Sequence, residues 1–187
     1  MKKILVITFS IIATIAICFF SVQYIIGALS GLNESATENG RTIVTKKSQA
    51  LQAEEKRIED KARLQEALDQ INEDYLQLKL DESPSEMKVI DVLHEMVHQK
   101  VKAEKKWGQI PMHPKTIEQV NKVIEQGNFE RKTELLDMVE KWEDGNFSTA
   151  DEDHNFLWSI KEGNVGKAYG ILSLQEEIKY IHDHFID

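Results

Sequence analysis

The chain has 187 residues, 41% hydrophobic and 29% charged, with 23 Lys+Arg against 32 Asp+Glu and a formal net charge of -9. Lys2 and Lys3 precede an apolar run, so the remainder carries 21 basic against 32 acidic residues, a charge of -11; that acidity excludes the basic footprint of a nucleic-acid binder and disfavours adsorption to anionic lipid. The single Cys18 sits inside the apolar run, which leaves no thiol elsewhere for disulfides, thiolate zinc sites or cysteine nucleophiles.

Residues 4–29 carry no charge, and about 20 such residues suffice to span the hydrocarbon of a bilayer as a helix. Residues 1–29 are therefore read as an N-terminal transmembrane anchor. Lys2 and Lys3 stand before the run, and Glu34 and Glu38 are the first charges after it. That asymmetry places the N-terminus in the cytoplasm and the rest of a single-pass chain outside the cell membrane. A cleaved secretory signal is the rival reading, with Ala28-Leu29-Ser30 as the cleavage site and a secreted product. A lipoprotein site at Cys18 is disfavoured because Ile17 stands where a small residue is needed.

Residues 30–45 are small and polar and read as a flexible linker. Residues 46–82 are read as a charged spacer helix, rich in Ala, Glu, Lys, Gln and Leu. Leu64, Leu68, Ile71, Tyr75 and Leu78 step by four and three, the spacing of a coiled-coil seam. Either the last turns dock on the following domain, or the seam pairs two chains as a homodimer.

Residues 83–187 are read as a helical globular domain. Ser83, Pro84 and Glu86 suit the start of a helix running to about Lys106, stopped by Trp107-Gly108. Met87, Ile90, Leu93, Val97 and Val101 would form its apolar stripe. A short helix with Ile117, Val120, Val123 and Ile124 inward follows, then one over 130–143 with Leu135, Leu136, Val139 and Trp142 inward. Gly127-Asn-Phe and Gly145-Asn-Phe mark the two junctions, each Gly suiting a left-handed helix end. Ser148 and Asp151 read as a capping box opening a helix through Leu157, Trp158 and Ile160. Ser173 and Glu176 read as another, opening a terminal helix with Leu174, Ile178, Ile181 and Phe185 inward. Gly163-x-x-Gly166-x-x-x-Gly170 is read as a turn, since neither a preceding strand nor a Gly-Lys-Ser/Thr supports a phosphate loop. No segment alternates with period two, so the fold class is all-α: an anchor, a linker, a spacer helix and a compact bundle of about five helices.

His94-Glu95-x-x-His98 is the one catalytic spelling. On a helix the two histidines share a face and could ligate one metal, zinc being the natural choice, with Glu95 as general base. Against a hydrolase stand the apolar stripe beside both histidines and the lack of a substrate strand. The third ligand is also missing: on an unbroken helix Glu104 lies roughly 15 Å along the axis from His94, and Glu118 or Glu140 would have to come from another element. Asp151-Glu-Asp153-His154-Asn155 could bind a cation, although acidic residues in a first turn are accounted for by the helix dipole.

His94-x-Met96-x-His98-Gln99-Lys100-Val101, Lys106-Trp107-Gly108, Asp151-x-Asp153-His154-Asn155-x-x-Trp158 and Gly166-x-Ala168-x-Gly170-x-Leu172-Ser173 together resemble a family of short, membrane-anchored, extracytoplasmic proteins of Bacillus-type Gram-positive bacteria, a domain of unknown function. The resemblance covers about residues 84–187. It implies the same architecture and compartment, and that His94, His98, Trp107, Asp153 and His154 come together in the folded domain; it brings no activity or cofactor. The function expected from the whole sequence is a non-enzymatic protein-interaction or assembly module that binds an envelope protein or peptide without a cofactor. The alternatives are a zinc-dependent hydrolase of H-E-x-x-H type and a histidine-based metal or pH sensor.

Overall fold

The computed structural model describes residues 38–186. The anchor over 4–29 lies outside these residues, as does the linker up to residue 37. Among the described residues no helix is long and apolar enough to cross a membrane. Contacts divide the chain at Glu54/Glu55, and the site described below belongs wholly to the second unit, Glu55–Asp187.

Helix α1 spans Glu38–Asp69, beginning inside the stretch read as linker. It closes with short-range bonds from Gln70 N to Ala67 O and Ile71 N to Leu68 O. Asn72 then caps a 3-10 turn, Glu73–Leu76, its side chain accepting from Asp74 N. The seam residues Leu64, Leu68 and Ile71 are covered within this chain: Ala67, Ile71 and Leu76 are buried with Ile181 and Phe185 of the C-terminal helix. Tyr75 stays exposed, its ring edge-on to Phe185 with centroids 5.6 Å apart. A bond from Asn72 N to Phe185 O fixes the junction.

Helix α2 spans Glu86–Val97 and is capped by Ser85, whose side chain accepts from Lys88 N. The cap is therefore two residues later than the Ser83 start expected from sequence. Met87 is exposed, so the buried stripe is Val89, Ile90, Leu93, Met96 and Val97. The helix also ends nine residues before Lys106. Gln99 N and Lys100 N bond to Met96 O and Val97 O, a tightened last turn, and Val101–Ala103 then forms strand β1. Tertiary contacts override helix propensity here. Gln99 and Lys100 turn inward, where Lys100 Nζ pairs with Glu177 Oε1 in a buried salt bridge and stands 3.8 Å from the Phe147 ring centroid. Gln99 Nε2 donates to the same Glu177 oxygen at 2.8 Å, and Gln99 Oε1 accepts from Met112 N at 2.9 Å.

Helix α3 spans Pro114–Gln126 behind a capping box made by His113 and Thr116. Helix α4 spans Lys132–Glu143 and helix α5 Ala150–Ile160. Gly145 takes the left-handed conformation expected of it (φ 70°), but Gly127 does not (φ -73°). No capping box forms at Ser148: its N–H and hydroxyl both go to Asn146 Oδ1, and Thr149 is the cap residue. Strand β2, Ala168–Ile171, occupies the end of the segment read as a turn. It pairs antiparallel with β1 in the register Val101↔Ile171, Lys102↔Gly170, Ala103↔Ala168, with Tyr169 bulged out. Helix α6, Leu174–Phe185, starts at the Ser173/Glu176 capping box read from sequence.

The unit is thus mostly helical rather than all-α, because one short hairpin-like ladder joins two distant segments. Neither strand shows alternation that sequence could reveal: each is only three or four residues long, and their partners lie about 70 residues apart. The main core is built from α2, α3, α4 and α5 and includes Leu93, Val97, Val120, Leu135, Trp142 and Leu157.

Candidate metal site

His94 and His98 lie four residues apart at the C-terminal end of α2, His98 being the residue that caps it. Helix α5 packs beside α2 and carries His154 in its first turns. The three rings meet. Centroids are 4.6 Å apart for His94–His98, 4.5 Å for His94–His154 and 5.4 Å for His98–His154. One nitrogen from each lies within 4.8 Å of the others, and all three side chains are buried. Zinc–imidazole bonds of about 2.0–2.1 Å imply donor separations of about 3.3 Å in a tetrahedral site. Small side-chain rotations would close that gap.

Hydrogen bonds fix the tautomers of two rings. His98 Nδ1 is 2.9 Å from Gly108 O, a carbonyl that can only accept, so Nδ1 carries the proton and Nε2 keeps its lone pair. His154 Nδ1 is 3.3 Å from Asn155 Oδ1. That amide is itself oriented by Ala168, whose N–H donates to Oδ1 at 2.8 Å and whose carbonyl accepts from Nδ2 at 3.0 Å. His154 therefore also donates from Nδ1 and presents an Nε2 lone pair. His94 Nδ1 lies 3.4 Å from Lys161 Nζ, an ammonium that can only donate, so Nδ1 accepts and Nε2 carries the proton in this arrangement. Ligation of a metal through His94 Nε2 requires the other tautomer and release of the Lys161 contact. The Nε2 atoms of His94 and His154 are buried and have no hydrogen-bond partner. A buried polar atom left unpaired costs about 1–3 kcal/mol and calls for an explanation, an ion being one.

The electrostatics keep the triad neutral. Burial lowers His94 to about 2, aided by repulsion from His98 and His154 and from Lys161. Burial lowers His98 to about 4, against the opposing effect of its bond to Gly108. His154 is lowered as well, chiefly by burial. Neutral imidazole is the form a metal binds.

His94 and His98 open onto a cleft of about 240 Å³ walled by Trp107, Trp158 and Lys161. Two glycines shape it. Gly166 holds φ 88°, and a Cβ there would stand 2.5 Å from Lys105 O. At Gly163 a Cβ would strike the Trp158 indole at 2.3 Å. The other residues named from sequence fall elsewhere. Glu95 is half-buried in a different cleft with Lys88, Val92 and Gln109, and burial raises its carboxyl above the usual range. Asp153 is buried but turned away, accepting from Trp142 Nε1 at 3.0 Å and Lys141 Nζ at 2.7 Å. Glu104, Glu118 and Glu140 are exposed, and Glu118 pairs with Lys122. The third ring comes from His154, which sequence reasoning placed in a candidate cluster and otherwise read as part of an acidic first turn. Its signal was the histidine inside that acidic turn, which the helix dipole does not call for.

Residues 93–182 match DUF6241, a family of unknown function. The matched span takes in all three histidines, Trp107, Trp158 and both strands. No curated protein and no solved structure matches the chain.

Proposed function

We propose that the second unit binds one divalent transition-metal ion, zinc foremost, through His94, His98 and His154, and that the apolar run 4–29 holds this centre at the outer face of the cell membrane. The observation that carries the reading is the convergence of three buried, neutral imidazoles, two of them with unpartnered Nε2 atoms. Neutral nitrogen donors favour zinc and copper over the hard cations, which prefer oxygen. The hydrolase version lacks support because Glu95 lines the other cleft. A second reading, an interaction module for an envelope protein or peptide, is favoured by the exposed side chains of Trp107 (64%) and Tyr169 (73%). The test is zinc content after dialysis of the purified protein. About one zinc per chain is expected, falling to near zero in His154→Gln and unchanged in His182→Gln, which alters an exposed histidine of α6. A wild-type protein free of zinc, or uptake indifferent to His154→Gln, would defeat the proposal.

A further inference from the structure

The ligand set leaves a charge imbalance that points beyond the metal. The three donors are neutral, and the charged side chains acting on the rings from outside the triad, Lys106 and Lys161, are both cationic. The nearby carboxylates are committed elsewhere. Asp91 holds Lys161 at 2.8 Å, Asp153 holds Lys141, and Glu95 faces the other cleft. A dication in such surroundings carries charge that nothing in its donor set offsets, and a charge buried without a counterion is costly. Zinc takes four ligands, so three imidazoles leave one position to fill. Because His94 and His98 line the cleft while His154 lies behind them fully buried, that position faces the cleft.

The cleft has a shape and chemistry of its own. Trp158 is held in place by donating from Nε1 to Val165 O at 2.9 Å and by its packing against Gly163. Trp107 lines the same cleft with most of its surface in solvent. Lys161 also lines the cleft; its Nζ lies 3.4 Å from His94 Nδ1 and is already paired with Asp91 at 2.8 Å. We infer that the metal-loaded cleft takes a carboxylate, the anionic end of a small ligand whose apolar body lies between Trp107 and Trp158. This rests on the metal reading above. A monoanion suits the site better than phosphate, whose second charge and hydration would be lost against indole walls. Glu162, an exposed acidic residue on the cleft rim, is the rival source of a carboxylate from the chain itself.

The experiment uses the full chain loaded with cobalt(II), whose visible spectrum reports the number and kind of ligands, titrated with benzoate, acetate and phosphate. Benzoate should shift the spectrum and bind about tenfold more tightly than acetate, the gain of roughly 1.4 kcal/mol coming from apolar contact with the indoles. Trp107→Ala should keep one cobalt per chain and bring benzoate to the level of acetate. Glu162→Gln should leave benzoate binding intact. Cobalt bound with a spectrum that benzoate does not move, tighter binding of phosphate than benzoate, or a four-coordinate spectrum that disappears in Glu162→Gln would each overturn the inference while leaving the metal site standing. Failure to take up cobalt at all would remove the metal reading and this inference together.

Discussion

Three buried neutral histidines make the metal-free domain sensitive to acid in a narrow window. In the unfolded chain each imidazole titrates near 6.5, whereas in the fold His98 is lowered to about 4, His94 to about 2, and His154 and His113 in the same direction. Lowered folded values mean that the unfolded chain binds more protons below pH 6.5, so stability is intact above that value and is lost as pH falls towards 4. At pH 5.5 each unfolded imidazole carries about 0.9 proton, and one proton is worth about 1.4 kcal/mol per pH unit. His94 and His98 alone therefore account for about 2.4 kcal/mol between pH 6 and 5, with His154 acting in the same direction, a sizeable share of the roughly 5–15 kcal/mol of a typical domain. Most carboxylates titrate below that interval, and Glu95, raised by burial, acts in the opposite direction to the histidines. The assay is urea unfolding of chelator-treated protein at pH 6.0 and 5.0, read by tryptophan fluorescence. His154→Gln, although less stable at pH 7, should show a shallower pH dependence than wild type. A wild-type midpoint that does not move between the two pH values would refute the burial argument. Saturating zinc should shift the loss of stability to lower pH, since protons and metal compete for the same nitrogens.

Other expected outcomes concern residues around the site. Lys100→Met strands Glu177 in the interior and should cost about 3–5 kcal/mol; adding Glu177→Gln should recover much of it, since Gln99 keeps a partner, as paired denaturation curves would show. Asp153→Ala leaves the buried Trp142 N–H unpaired and should lower stability by about 1–3 kcal/mol without changing zinc stoichiometry. Glu95→Gln should leave zinc affinity within about twofold of wild type, a change under roughly 0.5 kcal/mol; a larger loss, measured by competition with a chromophoric chelator, would mean that Glu95 reaches the metal after all.

Much of the helical framework was legible because its signals are local. The Ser173/Glu176 box, the Gly145 stop and the inward faces of α3, α4 and α6 follow from capping chemistry and helical spacing. The end of α2 was not legible. Nothing in His98-Gln99-Lys100 breaks a helix by propensity; the break is bought by Glu177, 77 positions away from Lys100 in sequence, and by pairing of β1 with β2. The misplaced helix end had a consequence for the site. An unbroken helix would carry Glu104 away from the two histidines, whereas the third ring belongs to α5, 56 positions after His98. The i, i+4 histidine pair was visible in sequence, but its partner could be picked out only where the fold places it.

Zinc-edge X-ray absorption on the zinc-loaded full chain tests the central claim most directly. Three imidazole nitrogens and one oxygen donor at about 2.0–2.1 Å are expected, with the imidazole contribution reduced by one in His154→Gln. A first shell of oxygens, or a shell holding two imidazoles or fewer in the wild-type protein, would contradict the three-histidine site.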